Sequence, residues 1–238
     1  MSAMRALLLP LLLTAVLALV LAGCAASGAF EPGQLAKTDI DRVADAHRRE
    51  VFASLRLVAE KLYRRNPREW KKGGQASMEA ALARLFDPAL AWRLPELEER
   101  RGTEAVLLAL REDWRGDRVA ALVAGLGGML HGAFNERTEF YVLDDLDPQR
   151  LHNSARNLEI AAWKLAHARG ADGELLLLAN EMAPVQNLSF EREFGKMIGN
   201  LDLLSRIVAD KTNRAFVKIV QSMATAVFLP VLPVPTFR

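Results

Sequence analysis

The sequence predicts an all-α fold: a single domain built as a bundle of six to eight helices, between an N-terminal tether and an irregular proline-rich tail. Three observations lead there. Apolar residues recur every three or four positions along each long segment, the spacing of one helix face. Residues 119–134 carry no formal charge and are apolar almost all round, as a buried helix is. The one short leucine run that could be a strand has no evident partner strand elsewhere.

The chain opens MSAMRALLLPLLLTAVLALVLAGC, with Arg5 its only charged side chain. A basic start, an apolar run and small residues before a cut are the marks of a secretory signal. A membrane-spanning anchor needs roughly 20 apolar residues. This run is slightly short for that and contains Pro10. Residues 24–37 are small and polar and are broken by Pro32 and Gly33, which reads as a tether. As a coil it spans about 20 Å, with a taut limit near 45 Å.

The helical domain is expected over residues 38–228. Thr38 or Asp39 caps a first helix whose stripe runs Ile40, Val43, Val51, Leu55, Val58 and Leu62, and Asn66-Pro67 stops it or starts a new segment. NPREWKKGG reads as a polar turn, Ser77 to Phe86 as a short helix, and residues 89–101 stay ambiguous around Pro95. Thr103 to Trp114 is helical. The core helix 119–134 then contains Gly125, Gly127, Gly128 and Gly132. Each costs roughly 1 kcal/mol of helix propensity against alanine, which implies close backbone crossings there. Asp147-Pro148 starts a helix to Ala168 with a clean stripe from Leu151 to Leu165. The leucines of ELLLLANE fit a buried strand or a short buried helix, and helix is preferred. Asn187 or Ser189 caps the last long helix, with Phe190, Phe194, Met197, Leu201, Leu204 and Val208 on one face and a second stripe from Phe216 to Val227. The tail, residues 229–238, is apolar with three prolines; polyproline II is its natural shape, and it offers an exposed docking strand or a latch.

Leu21-Ala22-Gly23-Cys24, at the end of the apolar run, resembles the lipobox of bacterial lipoproteins. The resemblance covers only the first two dozen residues and implies nothing about the fold. It implies removal of residues 1–23, a diacylglycerol thioether on the Cys24 sulfur and an acyl chain such as palmitate on its new amino group. Several chains suffice for stable anchoring. Ala25, in place of the aspartate that favours inner-membrane retention in that family, implies the outer membrane, facing the periplasm. Cys24 is the only cysteine, so no disulfide can form within the chain and packing must supply stability.

No motif dictates a reaction. The formal charge is +2 with acids and bases interspersed, which offers nucleic acid no basic block. His47, His131, His152 and His167 are scattered, without metal-ligand spacing, and His47 and His131 read as hydrogen-bonded core residues. Neither a nucleophile elbow nor a phosphate loop is present, and Gly125-Leu-Gly-Gly128 follows no strand, so no cofactor is implied.

The densest polar set is His152, Asn153, Arg156, Asn157 and Glu159 on the helix after Pro148. It is either a cleft in which Glu159 acts as acid or base, or a satisfied interhelical network. Glu136, Glu139, Asp144, Asp145 and Asp147 could likewise serve a carboxylate hydrolase acting on a polymer such as peptidoglycan, or simply line a loop and a helix start. Arg64, Arg65, Arg68, Trp70, Lys71 and Lys72 form the strongest local positive charge, suited to anionic headgroups or peptidoglycan carboxylates, or to a solvated turn with Trp70 docked on the bundle. The leading expectation is therefore a membrane-anchored envelope lipoprotein with a structural or protein-interaction role. An envelope hydrolase and a carrier of an apolar ligand, with the glycine-rich helix lining its cavity, are the alternatives.

Overall fold

The computed structural model describes residues 37–181, 184–212 and 227–231. The chain divides into two units, Met1–Lys37 and Thr38–Arg238, and the described fold is that of the second. It is an all-α bundle. In chain order its helices are α1 (Asp39–Arg65), α2 (Pro67–Lys72), α3 (Met78–Leu85), α4 (Thr103–Ala109), α5 (Arg118–Ala133), α6 (Pro148–His167) and α7 (Ser189–Thr212). Short 3-10 turns, Pro88–Leu90 and Pro95–Leu97, fill the proline-rich stretch between α3 and α4.

The helix starts are set by local chemistry. Thr38 caps α1 through a capping box: its hydroxyl accepts the Asp41 amide at 3.3 Å, and the Asp41 carboxylate accepts the Thr38 amide at 2.7 Å. Ser77, Asp117 and Asp147 do the same work for α3, α5 and α6. At Asn66 the chain turns sharply: its amide closes α1 onto the Leu62 carbonyl, and Pro67 opens α2 at once.

The core is built around α5, where Val119, Leu122, Leu126 and Leu130 are fully buried. Helix α6 packs mainly on α7, α7 on α1, and α4 on α5. Leu55, Leu62, Leu158, Phe194 and Leu201 complete the centre without measurable exposure or nearly so. Each such side chain contributes about 1.5–3 kcal/mol relative to an exposed position.

The glycines of α5 explain its close neighbours. A Cβ on Gly125 would lie 2.7 Å from the Gly102 carbonyl oxygen and the Val106 nitrogen of α4. On Gly127 it would lie 2.2 Å from the Trp92 ring. The first glycine admits a helix backbone, as expected; the second admits an indole.

Three expectations are corrected. NPREWKKGG contains the six-residue helix α2, because Pro67 starts it and the Gly73 amide closes it onto Glu69. Helix α4 stops at Ala109 instead of Trp114. The buried Arg118 guanidinium draws the carbonyls of Ala109 (2.7 Å), Arg111 (2.6 Å), Glu112 (3.2 Å) and Trp114 (2.8 Å) out of helical register. The leucines of ELLLLANE form no helix: Leu175 bridges Arg169, and Asn66 binds both polar groups of the Leu178 backbone, at 2.8 and 2.9 Å. Residues 227–231 lie on the bundle, with Val231 buried. The second stripe, from Phe216, falls on residues outside the described ones until Val227, and so do residues 1–36 and 232–238.

Candidate functional site

The polar residues of α6 divide between two separate tasks. On the side facing α7, Arg156 Nη2 bonds the carboxylates of Asp202 (2.8 Å) and Glu159 (3.0 Å), and His152 Nδ1 lies 3.6 Å from Asp202. Burial raises the Glu159 carboxyl above the usual range, while the Arg156 charge opposes that shift. One guanidinium thus holds two carboxylates across a helix pair, a geometry that ties α6 to α7. Around the helix, the Asn157 side chain accepts the Leu229 amide at 2.6 Å and donates to the Leu229 carbonyl at 2.8 Å. Asn153 donates to the Pro230 carbonyl at 2.8 Å. These two asparagines, unfavourable in a helix interior, bind the backbone of the tail as a neighbouring strand would.

Four of the five acidic residues before α6 are engaged locally, and the fifth, Glu136, lines a cleft. Asp147 caps α6, Asp144 accepts the Tyr141 amide at 2.9 Å and pairs with Arg137 at 2.9 Å, and Glu139 accepts the Tyr141 hydroxyl at 2.8 Å. Asp145 accepts through its backbone carbonyl from Asn135. The basic turn is also largely committed. Arg64 pairs with Glu60, Arg65 with Glu181 at 3.2 Å, and Lys72 with the buried Glu69 at 2.6 Å. Trp70 packs against the core and Lys71 lies over its ring at 5.3 Å, which leaves Arg68 exposed. His47 is half-buried and bonds Asn200 at 2.7 Å, joining α1 to α7; it is hydrogen-bonded as expected but lies at the edge of the core.

His131 does not follow that pattern, and it marks a different place. It lines a cleft of about 280 Å³ together with Trp92, Arg93, Arg101 and Glu136. The backbones of Gly102 and Gly128 form its floor. Its Nδ1 is sealed from solvent and has no hydrogen-bond partner among the described residues. Burial, and then the nearby Arg48 charge, lower the His131 pKa, so the ring is neutral at neutral pH.

The cleft wall is conformationally unusual. Ala91 (φ 45°), Trp92 (φ 64°) and Glu136 (φ 59°) all occupy the left-handed region without being glycine. Such residues each cost about 1–3 kcal/mol and gather where surrounding structure holds a site in shape. Trp92 is the clamp. Its ring stacks on Phe52 at 5.6 Å, meets Phe86 edge-on at 5.2 Å and fits the notch at Gly127. A second cleft, of about 400 Å³, shares Arg101 and Gly102 with the first and is bounded by Met129, Leu229, Pro230 and Val231.

Trp92, Arg93 and Arg101 were not legible as site residues in the sequence. They fall in the ambiguous stretch 89–101, where no period or motif distinguishes them. The surplus of glycine in α5 was the one usable signal, since Gly127 and Gly128 face that stretch. Among the described residues no group of acidic, histidine or cysteine side chains has a metal-binding arrangement, and no helix is long and apolar enough to cross a membrane. No protein-family model matches this chain, and no curated protein or solved structure is significantly similar to it.

Proposed function

We propose that this chain is a lipid-anchored protein of the bacterial cell envelope, attached through Cys24 to the periplasmic face of the outer membrane, whose helical domain works by binding a partner. The observation that carries this reading is Leu21-Ala22-Gly23-Cys24 at the end of an uncharged apolar run. A tether of residues 24–37 would keep the domain within tens of ångströms of the bilayer. Envelope proteins and peptidoglycan are the partners within that reach. A binding role is preferred to hydrolysis because most carboxylates considered for catalysis have structural work: Glu159 shares Arg156 with Asp202, and Asp144 and Asp147 stabilise a turn and a cap. Glu136 lines the 280 Å³ cleft without a second carboxylate in its lining.

Mass spectrometry of the chain purified from membranes tests the anchor. The wild type should carry a diacylglycerol thioether and an N-acyl chain on Cys24, and Cys24→Ala should lose both and leave the membrane fraction. A wild type without lipid refutes the reading. The apolar-carrier reading is favoured by one feature, the 400 Å³ cleft between Met129 and the tail residues Leu229, Pro230 and Val231. Saturable uptake of a fluorescent fatty acid, abolished by Met129→Lys, would support it.

A further inference from the structure

We propose that the cleft between the Trp92 turn and the C-terminal half of α5 binds a small organic anion, a molecule bearing a carboxylate or phosphate together with a hydroxyl or amide donor. The site goes beyond the lipid-anchor reading and does not depend on it.

The polar groups of the wall are mostly donors. Arg93 makes no side-chain hydrogen bond or ion pair among the described residues. The one ion pair of Arg101 is a 3.6 Å contact with Glu99, whose side chain is 97% exposed. Such a contact contributes little, so both guanidinium groups are available. The Trp92 indole N–H has no acceptor among the described residues. His131 adds a further donor by elimination. A proton on its sealed, partnerless Nδ1 would be a buried unsatisfied donor, so the neutral ring carries its proton on Nε2, on the edge left to the cleft. Arg48, close enough to depress the His131 pKa, adds positive potential behind the wall. Glu136 is the one anionic side chain of the lining. An anion answers the donors, and a hydroxyl or amide on the same molecule answers Glu136. Packing of Trp92 on Phe52, Phe86 and the Gly127 notch holds the strained, positive-φ wall of Ala91 and Trp92 in place before any ligand arrives.

Isothermal titration of the full chain in detergent tests the site, with two anions as probes. N-acetylmuramate presents a carboxylate and glycerol 3-phosphate a phosphate, each with hydroxyl donors; N-acetylglucosamine is the uncharged counterpart. Saturable one-site binding of either anion, at least tenfold tighter than the neutral sugar, is expected, and the anion that saturates identifies the source. The Trp92 indole N–H resonance should shift on titration. The double variant Arg93→Gln/Arg101→Gln should weaken binding at least tenfold with an unchanged melting temperature, since both side chains belong to exposed residues. Arg206→Gln, on the exposed side of α7, should bind as the wild type does. The proposal is overturned if neither anion saturates below about 10 mM, if the neutral sugar binds equally well, or if the double variant retains wild-type affinity.

Discussion

Four glycines in helices should respond in opposite directions to the same substitution. Replacing glycine by alanine in a helix interior gains about 1 kcal/mol of propensity wherever the methyl group fits. At Gly195 and Gly199 of α7 nothing lies within 4 Å of the added Cβ. Gly195→Ala and Gly199→Ala should therefore each stabilise the domain by about 1 kcal/mol and raise its melting temperature by roughly 2–4 °C. At Gly125 the same methyl would stand 2.7 Å from two backbone atoms of the α4 segment, and no side-chain rotation can relieve that contact. At Gly127 it would enter the Trp92 ring, which cannot retreat freely because Phe52 stacks on it. Overpacking of this kind costs about 1–3 kcal/mol, and more where backbone must move. Against the propensity gain, Gly125→Ala should still be destabilised by about 1–2 kcal/mol, and Gly127→Ala should lose stability and disturb the Trp92 environment. Thermal and urea unfolding of the four single variants provide the measurement. If Gly125→Ala melts at or above Gly199→Ala, the close α4–α5 approach does not exist and the reasoning fails.

Other consequences can be checked on the same material. Asn157→Ala removes both hydrogen bonds to the Leu229 backbone; hydrogen exchange at 227–231 should accelerate and stability should fall by about 1–3 kcal/mol. Arg118→Met leaves four carbonyls without their donor and should cost about 3–5 kcal/mol in chemical unfolding. Arg118→Lys should recover only part of this, because an ammonium cannot reproduce the guanidinium fork. Burial raises the Asp117 carboxyl from 3.8 to about 6, so the folded state holds this proton more tightly than the unfolded chain does. Its contribution to stability is therefore fully present below about pH 4 and is lost as pH rises through 6, a change of about 3 kcal/mol. Asp117→Asn keeps an acceptor for the Ala120 amide and should flatten that part of the stability–pH curve; an unchanged slope would exclude Asp117 as its source.

Local chemistry was readable along the chain because it needs only neighbours. The caps at Thr38 and Asp147, the helix start at Ser77 and the stripe Phe190–Val208 all depend on residues a few positions apart. Two of the errors fall where a distant side chain replaces the local partner. Arg118 ends α4 from beyond its C-terminus, and Asn66 takes the Leu178 peptide from more than a hundred positions away. Asn153 and Asn157 were conspicuous as poor helix formers, but only the folded chain shows that their partner is the tail.

By itself, then, the sequence determined the helical class, most of the helix starts, the buried character of α5 and the lipobox that motivates an envelope address. Periodicity, capping and a short linear motif are all written within a few residues of one another. Tertiary structure alone decided that Glu159 shares an arginine with Asp202, that the start of the tail is bound to its own domain, and that Trp92, Arg93, Arg101 and His131 meet around one cleft. That cleft joins the turn between α3 and α4 to the far end of α5, and the packing of Trp92 in a glycine notch sustains its positive-φ wall. Such a site has no period and no motif, because long-range packing, and not local spacing, brings its residues together.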